Sequence, residues 1–261
     1  MEGSSGGFMT LIPSRRRSRD NDASSSGGRG VLRFLRDVVI IFLAALVVSF
    51  LVKTFLIRSF YIPSGSMEQT LQIDDRIIVN ELVPDLVDVQ RGDVVVFEDP
   101  GGWLQGTPQV ETESRGPLLD GISWFLTQVG LGAQDSDEHL VKRVIGLPGD
   151  TVACCDDFGK VTVNGVPLDE DAYVSLPVGE TRASGIDFSV TVPEGSLWVM
   201  GDNRYNSQDS RYNTSTPSRG FVPIDDVVGR AFVVSWPFDR WGWLSDHPEV
   251  FRGTDRQGQG G

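Results

Sequence analysis

The chain has 261 residues, 39% of them apolar, with 30 glycines and a formal net charge of −13. That length allows one or two domains, and the turn-rich composition suits a mainly β globular fold. Residues 1–36 hold seven arginines against Glu2, Asp20 and Asp22, a net of +4, so the rest carries −17 and nucleic acid is excluded as a partner of the folded part.

In chain order, the Ser/Gly/Arg-rich residues 1–36 are expected to form a disordered, basic, cytoplasmic tail. Next comes "VVIIFLAALVVSFLV", Val38 to Val52. Continued through Ile57 it makes a helix of about 30 Å, the thickness of a bilayer core. A single transmembrane helix is expected over 37–57. The arginines ahead of it favour a cytoplasmic N-terminus and place everything from about residue 58 outside. The competing reading, a cleaved signal peptide, suits neither the length of the run nor the absence of a small-x-small site after it.

Beyond the helix lie "DDRIIVNEL" (74–82), "GDVVVFEDP" (92–100), "HLVKRVIGLPGDTV" (139–152), "GKVTVNGVPL" (159–168), "SLWVMGDNR" (196–204) and "VVGRAFVVSWP" (227–237). Each is a short β-branched run bounded by turn residues, the mark of a strand. Asn164-Gly165 signals a hairpin. The expected architecture is a mainly β extracytoplasmic domain over 58–240, with insertions at about 99–138 and 156–194 and a polar tail over 241–261. An apolar patch around Trp124 and Phe125 lies in the first insertion. Cys154 and Cys155 are adjacent and lack the spaced second pair of a zinc site. They read either as two buried thiols or as a bond between neighbours.

Few groups can carry catalysis. His139 borders an acidic loop and His247 lies in a polar stretch, and neither sits in a triad motif. Of the 23 cationic side chains only Lys53, Lys142 and Lys160 are lysines. Lys53 ends the apolar helix and Lys160 precedes a hairpin strand. Lys142 sits in "LVKRVI", where alternation sets it on one face with Leu140 and Val144 and sets Val141, Arg143 and Ile145 on the other. A lysine among apolar groups loses its charge more readily and becomes usable as a general base. Alternatively, Lys142 guards an exposed sheet edge. Nucleophile candidates are Ser64 and Ser66 in "PSGSMEQTL", an otherwise ordinary turn sequence. A third stretch, "GDNRYNSQDSR" (201–211), is dense in hydrogen-bonding groups, and its Asp202 and Asp209 lack EF-hand spacing.

Taken together and in this order, "PSGSMEQTL", "RGDVVVF", "VKRVIGLPGD" and "GDNRYNSQDSR" resemble the type I signal peptidases, membrane-anchored Ser/Lys proteases that remove leader peptides. With the flanking strands, the resemblance spans most of residues 38–237. It implies a mostly β catalytic core with an inserted smaller subdomain. It also implies Ser66 as nucleophile, Lys142 as general base and the Ser64 hydroxyl as an oxyanion donor beside the Ser66 N–H. Ser207 would orient the lysine. Asp209 and Arg211 would form a supporting ion pair, Arg143 would be the structural arginine beside the base, and Asp202 and Asn203 belong to the same supporting set. Ile62, Ile77, Val96, Leu140 and Val141 would build shallow apolar pockets that select Ala-x-Ala before the cut. No cofactor or metal is implied. The partners would be preproteins with signal peptides and the lipid bilayer, close to the secretion translocon, at the cell membrane. Gln69 stands where many members have Pro, and Tyr205 where many have Asp. A self-cleaving Ser/Lys protease and an inactive anchored β-domain that binds peptides are the alternatives. Ser66 lies nine residues past Ile57, so even an extended link keeps it within about 30 Å of the helix end.

Overall fold

The computed structural model describes residues 27–55, 57–104 and 139–255. Residues 27–55 form one helix, α1 (Gly27–Phe55), which begins at Gly27 rather than at residue 37. Its described side chains, 33–48, are all exposed and amount to about 24 Å of helix. Among the described residues no helix is long and apolar enough to cross a membrane. The patch at Trp124 and Phe125 lies outside the described residues.

The rest is built from short strands. They are β1 (Ile57–Tyr61), β2 (Arg76–Asn80), β3 (Val94–Glu98), β4 (His139–Gly146), β5 (Thr151–Cys154) and β6 (Val161–Val163). Then follow β7 (Val166–Pro167), β8 (Phe188–Thr191), β9 (Ser196–Met200), β10 (Val222–Pro223), β11 (Val227–Trp236) and β12 (Gly242–Trp243). The larger sheet runs β1-β2-β11-β3-β4-β9-β10, with β12 also on β11, and the smaller runs β7-β6-β5-β8. Every ladder between named strands is antiparallel. The six expected strand runs all contain strands. β1, β8, β10 and β12 carry weaker signals: β1 and β8 mix polar with apolar side chains, and β10 and β12 are only two residues long. Asn164 (φ 53°) and Gly165 (φ 81°) form the hairpin turn between β6 and β7, where left-handed backbone suits Asn-Gly.

The continuous apolar run of β3 has a packing reason. Val94 and Val96 face one core cluster with Phe60, Ile62, Ile77 and Val79. Val95 and Phe97 face another with Leu140, Val144 and Val199. A strand covered on both faces reads as unbroken apolar sequence, and each such side chain contributes about 1.5–3 kcal/mol by burial. A third cluster joins the two sheets through Ile145, Val152, Val163, Trp198 and Met200. Phe251 and Val250 pack in that cluster, so residues 241–255, read from sequence as a polar tail, are part of the fold. Cys154 and Cys155 are joined by a disulfide.

Candidate active site

The stretch after β1 is shaped by backbone bonds and core anchors. Ile62 donates to Asp75 O (2.9 Å), and Asp74 donates back to Ile62 O (3.0 Å). Pro63 and Ser64 follow in extended form, and a single 3-10 turn covers Gly65–Met67. Met67 and Leu71 are buried in the core cluster of Ile62 and Ile77, which holds the intervening serine against the sheet. Ser66 is 8% exposed.

Strand β4 brings the lysine. Its register sets Lys142 opposite Val95 and Arg143 opposite Val94. Lys142 is 3% exposed, and its Nζ donates to Ser66 Oγ at 2.8 Å and to Val141 O at 3.0 Å. Burial drives its pKa from 10.5 down to about 8, against the opposing pull of Asp209 and Asp202. Those two carboxylates are already engaged. Asp202 takes both arms of Arg143 (2.9 and 2.8 Å), and Asp209 takes both arms of Arg211 (2.8 and 2.7 Å). Burial pushes Asp209 up, but Arg211, the Gly201 N–H and the Ser207 hydroxyl together outweigh it and hold the carboxyl below its ordinary value.

The loop over 201–211 closes on the serine. A Cβ on Gly201 would lie 2.5 Å from Ser66 O and closer still to the Ser207 hydroxyl, so glycine is needed there for the approach of the two segments. The Asn203 N–H donates to Ser66 O (3.1 Å), and Asn203 Nδ2 donates to Glu68 (3.0 Å). Ser64 Oγ stands 3.4 Å from Ser66 Oγ.

The expected residues thus gather around Ser66, with two departures. The buried Ser207 Oγ makes no hydrogen bond of full strength and leans towards Asp209, which it helps to hold charged, and the bonds given by Lys142 go to Ser66 and Val141, so the expected Ser207–Lys142 bond is not formed in this conformation. Of the five pocket residues, Ile62, Ile77 and Val96 share one cluster, against which Val141 packs, whereas Leu140 belongs to the cluster on the other side of β3. Consecutive strand residues point to opposite faces, so the short Leu140 side chain packs away from the other four, whereas the longer Lys142 on its face still reaches Ser66.

Several supports carried no sequence signal. Thr70 Oγ1 donates to Asp202 (2.6 Å), and the Tyr173 ring lies 4.2 Å from the Arg143 guanidinium. Arg143 also donates to Gly92 O (2.7 Å) and Ser245 O (3.0 Å). Glu170 holds Arg204 through two 2.7 Å bonds. Thr70 lies within a recognised motif, but its partner is 132 positions away. Glu170 and Tyr173 fall in the second insertion, which no motif covers. Among the described residues no group of His, Cys, Asp or Glu is placed to hold a metal ion.

A family model described as signal peptidase, peptidase S26, matches residues 35–236. The probable signal peptidase I of Mycobacterium leprae is 40% identical over 203 residues, 69% of each chain. Signal peptidase I of Mycobacterium tuberculosis is 38% identical over 223 residues, 80% of this chain and 74% of its own. The probable signal peptidase I-2 of Synechocystis is 36% identical over 205 residues, 78% of this chain and 75% of its own. The chain belongs to the signal peptidase family, peptidase S26, the serine endopeptidases that remove signal peptides from secreted preproteins.

Proposed function

We propose that the chain is a single-pass, membrane-anchored signal peptidase working through a Ser66/Lys142 dyad. The observation that carries this reading is the 2.8 Å contact between the buried Lys142 amine and the Ser66 hydroxyl. With a pKa of about 8, roughly a tenth of the amine is neutral at pH 7 and half is neutral at pH 8.

Neutral Lys142 takes the Ser66 proton as Oγ attacks the scissile carbonyl carbon. The oxyanion is held by the Ser66 N–H and by the Ser64 hydroxyl, which stands beside the attacking oxygen. Such a donor is typically worth about 10²–10³ in turnover. The Lys142 ammonium then gives its proton to the leaving amine, which departs with the mature protein and leaves the acyl group on Ser66. Water, deprotonated by the same lysine, attacks that ester and frees the signal peptide and the serine. This is the Ser-Lys form of the triad logic, and no metal or cofactor enters it. Half-buried Val141 and the edge of Ile62 supply an apolar wall for the small residues of an Ala-x-Ala site, backed by the fully buried Ile77 and Val96.

The apolar run of residues 37–55 is the proposed anchor, shorter than the 37–57 expected from sequence because Ile57 opens β1, with the basic N-terminus cytoplasmic and the catalytic domain outside the cell membrane, close to the translocon. An anchored enzyme and an anchored leader peptide meet in one plane, which replaces a three-dimensional search by a two-dimensional one.

The test is cleavage of a preprotein carrying Ala-x-Ala by the detergent-solubilised full chain, beside Ser66→Ala and Lys142→Met. Both variants are expected to remain folded and to lose at least about 10³ in kcat/KM. Retained cleavage by Lys142→Met would remove the lysine from the mechanism.

A further inference from the structure

Cys154 ends β5 and is bonded to its chain neighbour Cys155. A disulfide stabilises a protein mainly by closing a loop in the unfolded chain, and the gain grows with the logarithm of loop length. A bond between adjacent residues closes the shortest loop there is, and it joins no two elements. The local structure is held without it. Cys154 pairs with Val161 on one side and with Phe188 on the other. Just beyond, the Asp156 carboxylate accepts from the N–H groups of Phe158 (2.9 Å) and Lys160 (2.8 Å), and the Asp156 N–H donates to Lys160 O (3.1 Å). A bond that fastens nothing points to a chemical role.

The surroundings say which. Both cysteines line a cleft of about 490 Å³. Cys154 is 5% exposed, within the cluster of Tyr173 and Trp198, whereas Cys155 is half-buried. An attacking thiolate therefore reaches the Cys155 sulfur first, and disulfides that can be reached are the labile ones. The rim selects the attacker. Asp156, Asp157 and Asp187 line it with one cation, Arg182, which is already paired with Asp187. That balance repels an anionic thiol.

We propose that Cys154–Cys155 is a thiol–disulfide exchange site that takes its electrons from a dithiol without negative charge. The first thiolate of the dithiol attacks the Cys155 Sγ. The bond between the two protein sulfurs breaks, and the Cys154 Sγ leaves with the electron pair and takes a proton from water. The second thiolate then attacks the sulfur of its own molecule and releases Cys155, which is protonated in turn. The protein disulfide is reduced to two thiols and the dithiol is oxidised to a disulfide. Neither sulfur takes part in the Ser66/Lys142 chemistry.

Cys154 and Cys155 are the chain's only cysteines, so every thiol counted reports on this site. The experiment treats the full chain in detergent, without denaturant, with dithiothreitol, alkylates it with N-ethylmaleimide and weighs the intact protein. Both cysteines are expected to be alkylated within minutes while the circular dichroism of the folded protein persists. Reduction that requires denaturant overturns the proposal. So does a purified protein whose two thiols are free and are not joined by hydroxyethyl disulfide. Cys154→Ser should form a mixed disulfide with hydroxyethyl disulfide at least about tenfold faster than Cys155→Ser, and equal rates overturn Cys155 as the attacked sulfur. If these variants fail to fold, the wild-type reduction decides alone. At low salt the anionic 2-mercaptoethanesulfonate should open the wild-type bond at least about tenfold more slowly than neutral 2-mercaptoethanol, a gap that closes at high salt. Equal rates at low salt overturn the proposed class of partner.

Discussion

Lys142 and its neighbour Arg143 are buried to nearly the same degree, 3% and 0% exposed, yet they meet opposite electrostatic fates. Arg143 has its own carboxylate in Asp202, a tyrosine face and two backbone carbonyls. Arg204 and Arg211 are matched in the same way by Glu170 and Asp209. Lys142 has only a serine hydroxyl and one carbonyl. Burial is common to all four cations, and the dedicated counter-ion separates them. Where it is present the charge is kept and the side chain becomes scaffold. Where it is missing the proton is loosened and the side chain becomes a base. Each nearby acid is already engaged by an arginine, so the ion pairs keep their carboxylates from serving as counter-ions to the lysine.

Stranding one of the matched cations should have the largest effect. Asp202→Ala leaves Arg143 buried and uncompensated, and the expected loss is about 3–5 kcal/mol of unfolding free energy by denaturant titration. The double variant Asp202→Ala/Arg143→Met should recover a large part of it. A double variant as unstable as the single would show that packing, not charge matching, sets the cost.

The unmatched cation should behave in the opposite way. Lys142 titrates at about 8 in the folded protein against 10.5 for the free side chain. Between those pH values the unfolded chain holds more protons, so this group makes stability rise with pH across that window. Below pH 8 its full penalty is present, on the order of 3 kcal/mol for a shift of this size. Lys142→Met removes the charge and keeps the bulk. It should therefore unfold at higher denaturant than wild type at pH 7, with the gap closing between pH 8 and 10.5. A gap that does not change with pH would mean that the ammonium is paired after all.

The same proton should govern turnover. If neutral Lys142 is the base, kcat/KM falls about tenfold for each pH unit below its pKa and levels off above about 8. A stopped assay on one preprotein from pH 5.5 to 9 checks this. An inflection near pH 6.5, the ordinary range of an imidazole, would point to a histidine instead.

How much of this was legible in the sequence depends on how far apart the partners lie in the chain. Ser66 and Lys142 each sit in a short motif with its own local logic, a turn before a buried hydrophobe and a cation inside an alternating strand. The main strands were visible for the same reason. The matching of charges was not. Asp202 with Arg143 spans 59 positions, Glu170 with Arg204 spans 34, and nothing in composition tells which acid meets which arginine. Residues 241–255 read as polar because Val250 and Phe251, two of the side chains that anchor them in the core, are too few to set a period. Leu140 packs in a different cluster from Val141, a separation that alternation along the strand already implied.

The smallest expected effect on stability tests the part of the site that is not yet assembled. Ser207 Oγ is buried beside Gly201, makes no full-strength hydrogen bond and gives Asp209 only the last of its several supports, so replacing it by alanine removes little. That change should be close to neutral, within about 0.5 kcal/mol. Turnover should respond differently. Once Lys142 has taken the Ser66 proton it carries three donors, and a nearby hydroxyl becomes a useful acceptor that keeps the ammonium aimed at the leaving amine. Ser207→Ala should then lower kcat by at least about tenfold with KM and the unfolding midpoint unchanged. A variant equal to wild type in all three would make Ser207 a packing residue, and the orientation of Lys142 would rest on its bonds to Ser66 and the Val141 carbonyl alone.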